Sequence, residues 1–146
     1  MTLEDILSVK GRTVHSISGE ATLQDVVARL MEHRIGSLVV VETDASGHDE
    51  LVGIITDRDI LYATMAGKPP LSDVKVAAVM STGLVTAAPE DEVEDAMGVM
   101  TDRRIRHLPV LREGRLAGII SIGDVVKAQH DRLALENRCL KDYIAG

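Results

Sequence analysis

The stretch GIITDRDI at residues 53–60 recurs as GIISIGDV at residues 118–125. Each copy reads as a buried strand that breaks at Thr56 or Ser121 into a helix, with Asp59 or Asp124 three residues further on. A chain carrying one strand-to-helix junction twice is constrained to fold as two like units. The flanking sequence repeats as well. Residues 35–41 are mirrored by residues 105–111 at an offset of 70, and Gly53 by Gly118 at an offset of 65. The difference falls between ETDASGHDE and the shorter REGR, a surface turn where a structural repeat tolerates insertion.

The pattern within each copy predicts the elements. Leu3, Ile6 and Leu7 mark a short opening helix that stops at Gly11. A strand over 14–17 precedes a helix that Thr22 caps, with Asp25 three residues on. Leu23, Val26, Val27, Leu30 and Met31 form its apolar face. The apolar runs 38–41 and 51–55 predict a hairpin, and residues 57–66 a helix with Ile60 and Leu61 inward, closed before Pro69 and Pro70.

In the second copy residues 76–80 answer the opening helix and residues 84–87 the first strand. Val93, Ala96, Met97 and Met100 then share a helix face. The last helix runs from Ile122 towards Ile144, with Val126, Leu133 and Leu140 every seven residues and Val125, Leu135 and Ile144 near the same side, a seam that wants a partner, either the N-terminal helix or another copy of the protein. The division expected is 1–68 for the first repeat with the N-terminal helix, 69–83 for a linker and pre-strand helix, and 84–146 for the second repeat with the long C-terminal helix.

Composition narrows the function. A length of 146 residues is expected to accommodate two small repeats sharing a core but not a separate catalytic domain besides. The core is aliphatic, because Trp and Phe are absent and the only Tyr residues are Tyr62 and Tyr143. A net charge of −7 argues against non-specific binding to nucleic acid or anionic membrane. No apolar run approaches the ~18 residues of a membrane span. The start of the chain does not read as a secretion signal. The single Cys139, read as a buried thiol, excludes an internal disulfide, and a cytoplasmic location is expected. The five histidines have no metal-ligand spacing, no metal site is evident, and no nucleophile or catalytic base is visible, so an enzyme is not expected.

The chemistry is concentrated at the two junctions. Thr56 with Asp59, and Ser121 with Asp124, match a capping pattern in which hydroxyl and carboxylate satisfy the free amides of a first helical turn. The same groups suit a small polar ligand. A helix N-terminus attracts phosphate, and a carboxylate beside it accepts both hydroxyls of a ribose. Both readings stand at this level.

Two series of strand, helix, strand, strand, helix, each closing on GIIT or GIIS with an aspartate three positions later, and preceded by HRIGSLVV and RRIRHLPV, resemble a tandem pair of CBS domains, the Bateman module. The resemblance spans essentially the whole chain. It implies an α/β (α+β) fold of two repeats packed sheet to sheet about a pseudo-two-fold axis, with adenosine-containing ligands such as AMP, ADP, ATP, NAD(H) or S-adenosylmethionine held in clefts between the repeats.

The resemblance also assigns roles. Asp59 and Asp124 would hold ribose hydroxyls; Thr56 and Ser121 would reach ribose or phosphate. His15 and Val85 stand where relatives contact adenine, largely through backbone groups. Arg58, Arg106 and His107 stand where relatives meet phosphate. The basic groups are divided unequally, since Gly36 and Ser37 occupy the places of Arg106 and His107 in the first repeat. The expected behaviour is that of a regulatory energy or redox sensor that forms a homodimer and acts on a protein target. A ligand-independent dimerisation or scaffold protein is the alternative.

Overall fold

The structure, a computed structural model, describes residues 1–67 and 69–145. The expected end of the first repeat, Lys68, lies outside them, as does Gly146. In chain order the elements are α1 (Leu3–Lys10), β1 (Ser16–Ser18), α2 (Leu23–His33), β2 (Ser37–Thr43), β3 (Asp49–Thr56), α3 (Asp57–Met65), α4 (Val93–Arg103), β4 (His107–Arg112), β5 (Arg115–Ser121) and α5 (Ile122–Ala145). They form two compact units, one of Thr13–Val85 and one of Met1–Arg12 with Thr86–Gly146.

In the first unit β2 lies between β1, parallel to it, and β3, antiparallel to it. Ile17, Leu38, Val40 and Ile55 turn inward from the strands onto Leu23, Val26 and Leu30 of α2 and Ala63 of α3. Fully burying a side chain of this size contributes about 1.5–3 kcal/mol. α2 starts where the pattern predicted. The Thr22 hydroxyl accepts the Asp25 N–H at 3.2 Å while Asp25 accepts the Thr22 N–H at 2.9 Å. The buried stripe is narrower than the sequence suggested, with Met31 74% exposed. On α3 the inward pair is Ile60 and Ala63, three apart on one face, and Leu61, 100° round the helix, is 58% exposed.

Residues 76–80 do not form a counterpart of α1. Only a 3₁₀ turn over Val76–Ala78 appears there. Several amides a helix would use, or leave free at its first turn, are bonded elsewhere: Val76 N–H donates to the Ala21 carbonyl at 2.8 Å, Ala77 N–H to Gly19 at 3.0 Å, and Ser81 N–H to Ile54 at 2.9 Å.

In the second unit β4 and β5 form a hairpin closed by Glu113 and Gly114, with φ of 51° and 76°, the positive pair a two-residue turn of this type requires. The strand expected at 84–87 is reduced to a single bridge, with Ala87 N–H donating to the Pro109 carbonyl at 3.0 Å and Leu111 N–H to Ala87 at 2.8 Å. In the first unit Val39 N–H donates to the His15 carbonyl at 3.2 Å. Pro109 stands at the place of Val39 and has no N–H, so that bond has no counterpart.

Helix α1 packs in this unit and not with the repeat that follows it in sequence, where residues 1–68 were expected to hold together. Leu3, Ile6 and Leu7 are buried. Leu3 N–H bonds Asp91 at 2.9 Å and Glu4 N–H bonds Pro89 at 2.8 Å. Cys139, on α5, is exposed and not buried.

Candidate functional site

Both junctions are built alike. At the end of β3 the backbone of Thr56 is still extended, and α3 begins at the next residue. The Thr56 hydroxyl accepts the Asp59 N–H at 3.3 Å, and Asp59 Oδ2 accepts the Thr56 N–H at 2.9 Å and its hydroxyl at 3.2 Å. The Asp57 N–H bonds the Gly36 carbonyl at 3.0 Å, tying the entry to β2 to the start of α3. At the end of β5 the Ser121 Oγ accepts the Asp124 N–H at 3.1 Å, Asp124 Oδ2 accepts the Ser121 N–H at 2.8 Å, and the Ile122 N–H bonds the Arg106 carbonyl at 2.9 Å. Capping boxes are therefore present at both. Such a box leaves hydroxyl and carboxylate at a helix N-terminus, where the helix dipole favours negative charge.

The second junction carries a group that the sequence did not single out. Lys10, at the end of α1, donates to Asp124 Oδ2 at 2.5 Å and to the Ile119 carbonyl at 2.7 Å. The lysine and aspartate side chains are 31% and 22% exposed. Partial burial pushes the Asp124 carboxyl up, but the Lys10 ammonium and the Ser121 amide outweigh it and hold the group below its ordinary value. Nothing local in the sequence signals this pair, because it depends on α1 docking beside β5.

The other expected residues fall around these boxes. Arg58 is exposed in the first turn of α3, its N–H bonded to Asp57 Oδ1 at 2.8 Å. Arg106 is exposed and adjoins the start of α5 through its carbonyl. His107 is the ladder partner of Ser121, so β4 brings it beside the second box. Val85 is half-buried in chain without regular structure. His15 stacks on His33 with ring centroids 3.9 Å apart and planes 22° from parallel. Burial, then the charges of His33 and Arg29, hold the His15 pKa below its ordinary value against an opposing pull from Glu32.

Between α1 and α5 lies a groove of about 720 Å³ lined by Ile6, Val9, Lys10, Asp124, Ala128 and Leu135 among others. Its size falls in the range of small-molecule sites. Among the described residues no group of His, Cys, Asp and Glu is placed to hold a metal ion, and no helix is long and apolar enough to cross a membrane.

Two α/β units that repeat one strand-to-helix capping box define a tandem-repeat module whose polar groups converge at helix N-termini. The CBS domain family profile matches residues 3–66 and again residues 76–131, and the chain belongs to that family as a tandem CBS pair. It is 35% identical over 151 residues to the CBS domain-containing protein CBSX3, mitochondrial, of Arabidopsis thaliana, covering 99% of this chain and 72% of that one. The crystal structure of the CBS-domain containing protein ATU1752 from Agrobacterium tumefaciens is 37% identical with a TM-score of 0.80, covering 88% of this chain and 99% of that one. The CBS domain pair of protein MJ0100, solved with 5′-methylthioadenosine and S-adenosyl-L-methionine, is 24% identical with a TM-score of 0.77 over 90% of this chain and 98% of that one, and shares the fold.

Proposed function

We propose that this CBS pair is a regulatory module that binds an adenosine-containing ligand (AMP, ADP, ATP or NAD(H), with S-adenosylmethionine as the alternative) at its strand-to-helix junctions. The observation that carries this reading is the duplicated hydroxyl and carboxylate box at the start of α3 and of α5. A ribose supplies two hydroxyl donors for Asp59 or Asp124. Phosphate suits the N-terminus of the adjoining helix, with Arg58 near the first box and Arg106 and His107 near the second. His15 and Val85 are assigned to adenine contact. The ligand signals by favouring one arrangement or oligomeric state over another, as a homodimer in the cytoplasm acting on a protein target.

The boxes also serve as caps, and an observation favours a ligand-independent scaffold to that extent: every box bond is made within the protein. A thermal-shift panel of AMP, ADP, ATP, NADH and S-adenosylmethionine on protein freed of carried-over ligand separates the two readings. A ligand at about 100 times its Kd stabilises by about 2.7 kcal/mol, a rise in Tm of several degrees. Asp59→Ala is expected to abolish or strongly weaken that rise. No shift with any of the five supports the scaffold and overturns the sensor.

A further inference from the structure

The two boxes differ in one cation. Leu7 packs on Gly118 and Met80 packs on Gly53 in the corresponding place of the other unit. Three residues past these contacts the two segments differ in form: α1 is still helical at Lys10, whereas Gly83, three past Met80, lies in chain without regular structure. A backbone difference lies behind it. The Ile54 carbonyl takes the Ser81 N–H at 2.9 Å, whereas Ile119, its equivalent, takes the Lys10 ammonium at 2.7 Å. Because α1 stays helical to Lys10, its amides bond within the helix, and the Gly11 N–H returns to Leu7 at 2.8 Å. The lysine replaces the missing donor, and in doing so its ammonium meets Asp124 at 2.5 Å. Asp59 makes no ion pair among the described residues, and its box bonds are internal to the junction.

We propose that Lys10 is a specificity-determining residue that closes the second junction to ribose, so that the first junction takes an adenosine ligand alone until Lys10 is displaced. This rests on the nucleotide reading above. The Lys10 ammonium adds the attraction of a full opposite charge to its hydrogen bond. A ribose hydroxyl brings only a neutral donor to the same carboxylate and thus competes poorly with it. Asp59 imposes no such competition. The lowered pKa of Asp124 agrees, since the pairing favours the charged carboxylate.

Isothermal titration of the full chain with AMP and, separately, with S-adenosylmethionine tests this. The wild-type chain is expected to take up one ligand, lost in Asp59→Ala. Lys10→Met is expected to take up two, the second lost in Lys10→Met with Asp124→Ala. Lys10→Arg, which keeps charge and donor, stays at one. If Lys10→Met does not fold, Lys10→Gln keeps a neutral donor for Ile119 and is read in its place. Two ligands on the wild-type chain, one on Lys10→Met, or a wild-type site that survives Asp59→Ala overturns the role of Lys10 while leaving nucleotide binding intact. No heat with either probe in wild type and Lys10→Met overturns the nucleotide reading itself, and this inference with it.

Discussion

Gly118 faces the buried Leu7 so closely that a Cβ would lie 2.6 Å from one methyl carbon of Leu7 and 3.0 Å from the other. Leu7 is 1% exposed and has nowhere to swing. Gly118→Ala is expected to cost about 1–3 kcal/mol in urea unfolding, with part recovered when Leu7→Ala is added. The glycine of each GII motif is thus a packing requirement of the second strand in the hairpin. His15 carries a second prediction at this scale. Its pKa is lower in the folded protein than its ordinary value of 6.5, so the unfolded chain takes up the proton more readily. Its contribution is intact above the unfolded value and drains as pH falls through 6.5 towards the folded value. Thermal melts from about pH 7.5 to about pH 5.5 are expected to show a fall in Tm that His15→Asn makes smaller. The boxes of Thr22, Thr56 and Ser121 were readable from the chain because hydroxyl and carboxylate stand three residues apart in each. Lys10 and Asp124 are 114 residues apart, and no local pattern joins them.

At the scale of elements, the helices and hairpins follow their periodicity and the exceptions have local causes. α2, β2, β3 and α4 appear where the apolar spacing put them, since one buried face decides each. Residues 84–87 share the pattern of β1 but meet Pro109 instead of Val39, and one missing donor leaves a bridge in place of a strand. Residues 76–80 and α1 share an apolar pattern yet differ in form. α1 has a Thr2 and Asp5 capping box, whereas the turn over Val76–Ala78 has no side-chain cap and gives its amides to other chain segments. A cap is worth about 1 kcal/mol, enough to decide between a short helix and a 3₁₀ turn.

At the scale of the molecule, most of α5 is left uncovered. Val125 is buried, while residues 130–145 are all exposed, with Leu133 at 62% and Leu140 at 61%. A helix of this length in water gains little from propensity alone and is stabilised chiefly by packing of an apolar face. The homodimer proposed above would cover that face, the seam of Val126, Leu133 and Leu140, with α5 of a second copy. Light scattering at micromolar concentration is expected to give a dimer, and Leu133→Asp with Leu140→Asp a folded monomer. A wild-type monomer would sink the assignment.

What the amino-acid order determined by itself is the duplicated unit, the start of each long element and both boxes, because caps and amphipathic faces arise between residues a few positions apart. Tertiary structure alone decided that α1 joins residues 86–145, that residues 84–87 keep one bridge, and that Lys10 reaches Asp124 while Asp59 makes no ion pair among the described residues. These depend on which backbone donors remain once distant segments are packed together, and that accounting closes only in the folded chain.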